Sequence, residues 1–197
     1  MLPMGKNVFL LDNNDSFTYN IVNHLRKMDE VTVAVSTAND FQLEEIAHFD
    51  KVIISPGPGL PEEFPRISQI LQTYHTTKPI LGICMGHQAI GTFFGAELIK
   101  LSPVIHGQAR TVEIVRDSPL WSNIPDRFKG GLYHSWVLAS DSIPDSLLVT
   151  AVTGDNVVMA IQSKKYPVFG VQFHPESYMT GHGFEILRNF IEYDDPQ

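Results

Sequence analysis

The chain has 197 residues, enough for one domain with a sizeable core, and its 43% hydrophobic and 18% charged residues exclude a disordered polymer. A net charge of −8 and a sequence pI near 5.4 argue against a duplex nucleic acid partner, which requires a basic face. The single cysteine, Cys84, excludes an intramolecular disulfide, and no run approaches the roughly 18 apolar residues of a membrane span.

The N-terminal apolar run Val8–Leu11 is too short for a secretion signal and reads as a buried strand, so the expected location is the cytoplasm, away from any membrane. Ser16 to Lys27 follows as a helix, with Phe17, Ile21, Val22 and Leu25 at helical spacing. Val31–Val35 is an alternating, β-branched strand. Phe41 to Ala47 reads as a short helix whose start, Asn39 with Gln42, resembles a capping box. Val52–Ile54 is a strand running into the loop Ser55-Pro56-Gly57-Pro58-Gly59. A helix carrying Ile67, Ile70, Leu71 and Tyr74 comes next, then a strand at Pro79–Ile83 and a helix from Gln88 to Phe94. Such repeated β-α-β units predict an open, mostly parallel sheet flanked by helices.

The second half is strand-rich, with Thr111–Val115, Trp136–Ala139, Leu148–Val152, Val157–Gln162 and Val168–Phe173. It predicts additional antiparallel strands in the C-terminal half. A helix from Gly183 to Tyr193 closes the chain. Neither a repeat nor a linker interrupts it, which predicts a single domain over residues 1–197. The overall class is therefore α/β.

Chemistry concentrates at Gly82-Ile83-Cys84-Met85-Gly86, where a buried strand meets a helix. This is the cysteine form of the nucleophile elbow. A sharp turn exposes the sulfur, the two glycines leave room where a Cβ would clash, and the helix N-terminus favours a thiolate. An isolated cysteine is most often a buried structural residue, but the glycine bracket and the strand–helix setting reverse that reading here. A thiol nucleophile needs a histidine and the histidine a third group. His174 and Glu176, in Phe173-His174-Pro175-Glu176 at the end of the last strong strand, supply both. The Pro-Gly-Pro-Gly loop also follows a strand end. In an acyl-transfer site Gly57 N–H would hold one side of an oxyanion and Met85 N–H the other. Tyr133-His134-Ser135-Trp136 precedes a strand, and Trp136 reads as a core aromatic. His24, His48 and His75 read as solvent-facing. No histidine cluster has metal-ligand spacing and no glycine segment matches a phosphate loop, so neither a metal nor a nucleotide site is expected.

Together these segments resemble the class I (triad) glutamine amidotransferases over nearly the whole chain. They are similar above all to the glutaminase subunit, component II, of anthranilate synthase and aminodeoxychorismate synthase. The cysteine, Pro-Gly-Pro-Gly and His-Pro-Glu motifs mark the class. Asp12-Asn13-Asn14-Asp15-Ser16-Phe17-Thr18 marks the chorismate-using branch. The resemblance implies that Cys84 attacks the side-chain amide of glutamine, His174 shuttles protons and Glu176 orients it. It also implies that Gly57, Gln88, Ser135 and Trp136 hold the substrate, the last two through backbone. The implied products are glutamate and ammonia, by way of a glutamyl thioester and with no cofactor in this chain. The implied partner is a chorismate-binding synthase subunit, component I, fed with ammonia through a tunnel because ammonium is no nucleophile. Asn14, Gln108, Leu132 and Trp136 stand where the family pattern more often has Tyr, Lys, Arg and Leu. Two competing readings are a stand-alone γ-glutamyl hydrolase of the same fold and a non-catalytic regulatory subunit. The latter usually lacks the nucleophile or the histidine, both of which this chain keeps.

Overall fold

The computed structural model describes residues 5–194. Its sheet begins with strands β1 (Lys6–Asp12), β2 (Val31–Thr37), β3 (Lys51–Ile54) and β4 (Ile80–Ile83). It continues with β5 (Leu98–Ile114), β6 (Arg127–Leu138), β7 (Leu147–Thr153), β8 (Val158–Ser163) and β9 (Val168–Val171). Four α-helices accompany them: α1 (Thr18–Leu25), α2 (Pro65–Tyr74), α3 (Met85–Phe93) and α4 (Gly183–Glu192). The order across the sheet is β2-β1-β3-β4-β9-β8-β7-β5-β6. The first five strands run parallel and the rest add antiparallel, as the sequence predicts.

The central strands β3, β4 and β9 are buried at every position, which is why they read as unbroken apolar runs. Helices cover both faces. Ile21, Val22 and Leu25 of α1 and Ile186, Leu187, Phe190 and Ile191 of α4 pack on one face. Ile67, Ile70, Leu71 and Tyr74 of α2 and Met85, Ala89 and Ile90 of α3 pack on the other. Among the described residues no helix is long and apolar enough to cross a membrane.

Several boundaries differ from expectation for identifiable reasons. The helix expected over Phe41–Ala47 is a 3-10 helix, Leu43–His48, and no side chain caps it. The chain first turns back, with Asp40 N–H on Thr37 O at 3.1 Å, so Asn39 lies in that turn rather than at a helix start. Helix α3 starts at Met85 rather than Gln88, because Gly86 is helical and packed rather than part of a loop. Strands β5 and β6 are far longer than expected. Register shifts at Lys100/Ile105 and His106/Gln108 break the alternation of β5, and Gly130-Gly131 disguises the middle of β6 as a turn. Tyr133–Trp136 consequently lies inside a strand rather than before one.

Lys51 opens β3 with its side chain buried. Its Nζ donates to the Tyr193 carbonyl and lies 5.4 Å and 5.7 Å from the Phe190 and Tyr193 ring centres. Burial, reinforced by Lys6, pushes its pKa down to about 8.

Candidate active site

The carboxyl ends of β1, β3, β4 and β9 lie along one edge of the sheet, and every motif singled out from the sequence sits on one of these ends or on β6, whose Gly131 O accepts from His174 N–H. In open α/β sheets this edge is where ligands bind. Cys84 joins β4 to α3 with φ 52° and ψ −102°, a left-handed conformation that costs a side-chain-bearing residue about 1–3 kcal/mol. The surroundings enforce it. A Cβ on Gly82 would stand 2.3 Å from Gly86 O, and one on Gly86 would stand 2.5 Å from Ile54 O. Strand, turn and helix are thus in backbone contact, and only glycine fits at the two flanking positions. Cys84 N–H donates to Val171 O at 2.8 Å, tying the turn to β9.

Beyond Val171 the chain leaves the sheet, two residues earlier than expected. It is then held by Gln172 N–H on Met159 O at 2.8 Å and His174 N–H on Gly131 O at 3.0 Å. Phe173 turns into the core beside Phe128, and its neighbours Gln172 and His174 point the other way. His174 Nδ1 and Glu176 Oε1 are 2.6 Å apart, with both side chains almost wholly buried. No hydrogen bond of ordinary geometry reaches His174 Nε2 among the described residues, yet Cys84 lies close enough to act on the ring. Burial depresses the His174 pKa, but Cys84 and then Glu176 outweigh it, and the imidazole is held protonated well above its ordinary range. The other two buried histidines behave oppositely. Burial pushes His87 down to about 3, and burial together with His174 pushes His134 down to about 4. Both are neutral near pH 7, so of these three buried histidines His174 alone is an imidazolium.

A cavity of about 260 Å³ opens beside the sulfur, lined by Gly57, Pro58, Gly59, Cys84, Met85, Gln88, Tyr133, His134, Ser135 and Trp136. Six residues expected at the site therefore share one cavity, with His174 and Glu176 buried behind it. Gly57 is wedged between Met85 and Asn13, where an added Cβ would stand 2.6 Å from Met85 Cε and 2.8 Å from Asn13 Cβ. Gly57 and Met85, whose N–H groups are expected to hold an oxyanion, thus both border the cavity, in contact through the Met85 side chain. Gln88 Nε2 donates to Trp136 O at 2.8 Å. Trp136 is half-buried rather than a core aromatic. It also borders an apolar cleft of about 480 Å³ with Ile67, Leu71, Phe93 and Leu98.

Sequence reasoning missed several contacts. Asn13 N–H donates to Ser55 Oγ and Asn13 Nδ2 to Ser55 O, both at 3.0 Å, anchoring the Pro-Gly-Pro-Gly loop. Phe17 and Tyr133 meet the His174 ring edge to face, with ring centres 5.5 Å and 4.9 Å away. Gln172 reaches Cys84 itself. Asn13 and Phe17 lie in the segment that marked the branch, and that marking was the only available signal. His75 is half-buried against Phe93, Phe94 and Tyr166, and His24 is half-buried near Phe184, contrary to the solvent-facing reading. Of the four atypical positions, Asn14 adopts φ 61°, which asparagine tolerates better than most residues, and Leu132 is fully buried, where a charge would be costly. Among the described residues no group of three acidic, histidine or cysteine side chains is arranged to hold a metal.

Residues 9–193 match the family described as glutamine amidotransferase class-I. A Haemophilus influenzae protein assigned as anthranilate synthase component II is 42% identical over 184 residues, 93% of this chain and 95% of that protein. The aminodeoxychorismate/anthranilate synthase component 2 of Bacillus subtilis is 36% identical over 188 residues, 94% of this chain and 95% of its own length. Among solved structures, a Thermoplasma acidophilum protein assigned to GMP synthase, as one of its subunits, superimposes with a TM-score of 0.84. It is 25% identical and spans 95% of this chain and 92% of that one.

Proposed function

The chain belongs to the class-I glutamine amidotransferases, and from that premise we propose that its glutaminase chemistry runs on Cys84, His174 and Glu176 within one domain spanning the chain. The observation that carries the reading is the strained Cys84 turn opening onto the cavity that Gly57, Met85 and Gln88 line, with the buried His174–Glu176 pair on the adjacent strand end.

In this reading the Cys84 thiolate attacks the side-chain carbonyl carbon of glutamine, and the oxyanion rests on the Gly57 and Met85 N–H groups. The His174 imidazolium gives its proton to the departing nitrogen, so ammonia leaves and a glutamyl thioester remains. His174, now neutral, takes a proton from water, which attacks the thioester; glutamate departs and the thiolate returns. Glu176 keeps the imidazole oriented and compensates its charge. Gln88, Ser135 and Trp136 hold the glutamine head group. Side chains and backbone supply every step, so the scheme calls for no cofactor.

The ammonia goes to a separate, chorismate-using synthase subunit for anthranilate or aminodeoxychorismate formation. The names of the relatives support that partner, and the Bacillus subtilis name spans both products. The test is glutamate release from glutamine by the chain alone and with each synthase subunit plus chorismate. Stimulation by one synthase, lost in Cys84→Ala, is expected and names the pathway. An unchanged glutamine-dependent rate in that variant would sink the reading, and turnover of γ-glutamyl peptides without a partner would point to a stand-alone hydrolase.

A further inference from the structure

Cys84 has a second neighbour besides His174. A backbone carbonyl can only accept a hydrogen bond, so the Gln88 atom 2.8 Å from Trp136 O is its amide nitrogen. The same nitrogen lies 3.2 Å from the side-chain amide of Gln172 and gives that group its other hydrogen. Gln172 must therefore turn its Oε1 toward Gln88 and its own nitrogen away. That nitrogen stands 3.6 Å from Cys84 Sγ, an ordinary N–H···S distance. One carbonyl thus fixes the orientation of two amides in succession, and the chain of donors ends on the sulfur.

Gln172 is fully buried and Gln88 nearly so. An amide placed there purely to fill space would leave polar hydrogens in a dry environment, which is costly. The acceptor that relieves the cost is the sulfur, and it is a far better acceptor as an anion than as a thiol. The backbone allows little adjustment, because Gln172 N–H is held by Met159 O at 2.8 Å and Cys84 N–H by Val171 O at 2.8 Å.

We propose that Gln172 positions the nucleophile, aiming a side-chain N–H at Cys84 Sγ so that the sulfur is oriented by a buried amide as well as by His174. The proposal deepens the function given above, since it takes Cys84 as the nucleophile. Within that reading Gln88 has two duties: it lines the substrate cavity, and it locks the amide that faces the sulfur.

The chain has a single cysteine, so alkylation by iodoacetamide in the absence of glutamine reads Cys84 alone. Gln172→Glu keeps an oxygen for Gln88 and replaces the donor facing the sulfur by a second carboxylate oxygen; Gln172→Met removes donor and acceptor at similar size. The expected result is an alkylation midpoint moved to higher pH in both variants, further in Gln172→Glu. At neutral pH the rate should fall by about tenfold or more, as for loss of a hydrogen bond to a charged group. With glutamine, kcat should fall while KM changes little. Wild-type midpoints in variants that melt like wild type would overturn the proposal, as would a rise in KM alone, which would make Gln172 a substrate-binding group. If Gln172→Glu fails to fold, Gln172→Met carries the same comparison. Failure of the glutaminase reading shows separately, as activity surviving Cys84→Ala, whereas the alkylation midpoint reports on Gln172 without any turnover.

Discussion

A methyl group added at Gly82 gives the sharpest test of how the nucleophile turn is built. In Gly82→Ala the new Cβ would stand 2.3 Å from Gly86 O, 2.4 Å from Gly86 C and 2.7 Å from Ile90 Cδ1. The first two are backbone atoms, which cannot rotate aside, so β4 and the first turn of α3 must separate by about 1 Å to restore ordinary contact. Strand β4 cannot give, since Ile54 pairs with Gly82 on one side and Gly170 on the other. The helix must lift, and with it Met85 and the sulfur. Overpacking typically costs about 1–3 kcal/mol, and a backbone clash belongs at the upper end. For a domain of this size that is a fall in Tm of roughly 6–12 °C. A displacement of about 1 Å at reacting groups costs about 10²-fold in rate. The assay pairs thermal unfolding with glutamate release in the presence of the synthase partner. Gly154→Ala is the control, because nothing lies within 4 Å of its added Cβ, and it should stay within about 0.5 kcal/mol of wild type. Gly82→Ala melting and turning over like wild type would refute the account of the turn.

Three further outcomes follow from charge. Glu176→Gln should lower glutamine turnover about 10²- to 10⁴-fold, read by glutamate release, because the imidazolium loses its orienting carboxylate. His174 is held above its ordinary value of 6.5, so its contribution to stability is complete below that pH and fades as pH rises through the raised value. The stability gap between wild type and Glu176→Gln in denaturant melts should accordingly be widest at acidic to neutral pH and narrow in alkali; a gap that widens with pH would contradict the assignment. Lys51 shifts the opposite way, from 10.5 to about 8, so the unfolded chain binds the extra proton between those values and wild-type stability should rise with pH across that window. Lys51→Met should remove that rise and be more stable near pH 7 by about 1–2 kcal/mol, less than the full cost of the buried charge because the bond to the Tyr193 carbonyl is lost. A rise of the same size in Lys51→Met would place its cause elsewhere.

The parallel half of the sheet was legible because β3, β4 and β9 are buried on both faces and announce themselves as apolar runs. The antiparallel arm was legible only in pieces. Register shifts in β5 and paired glycines in β6 erase the alternation by which a half-exposed strand is recognised. At the candidate site, the strained turn at Cys84 and the His174–Glu176 contact were legible because their signals are local: a glycine bracket, and a two-residue offset. What brings Gln172 to the sulfur is the β4–β9 register across a sequence separation of 88, and what brings Phe17 and Tyr133 onto His174 is likewise remote in sequence. No local pattern encodes such contacts. Trp136 was misread for the same reason, since its burial depends on how far β6 folds back over α3.

The pairing of β4 with β9 also sets an order in time. Cys84 is in place as soon as β4 and α3 exist, but His174 arrives just after the last strand, once the whole antiparallel arm has been made. Pairings between segments so distant in the chain close late, because the loop between them must first be organised. On the proposed roles, a ribosome that has not yet passed Glu176 carries a thiol without its imidazole, and glutamine turnover is expected to begin only when β9 docks. On that proposal, a truncated or stalled product would have no means of spending glutamine.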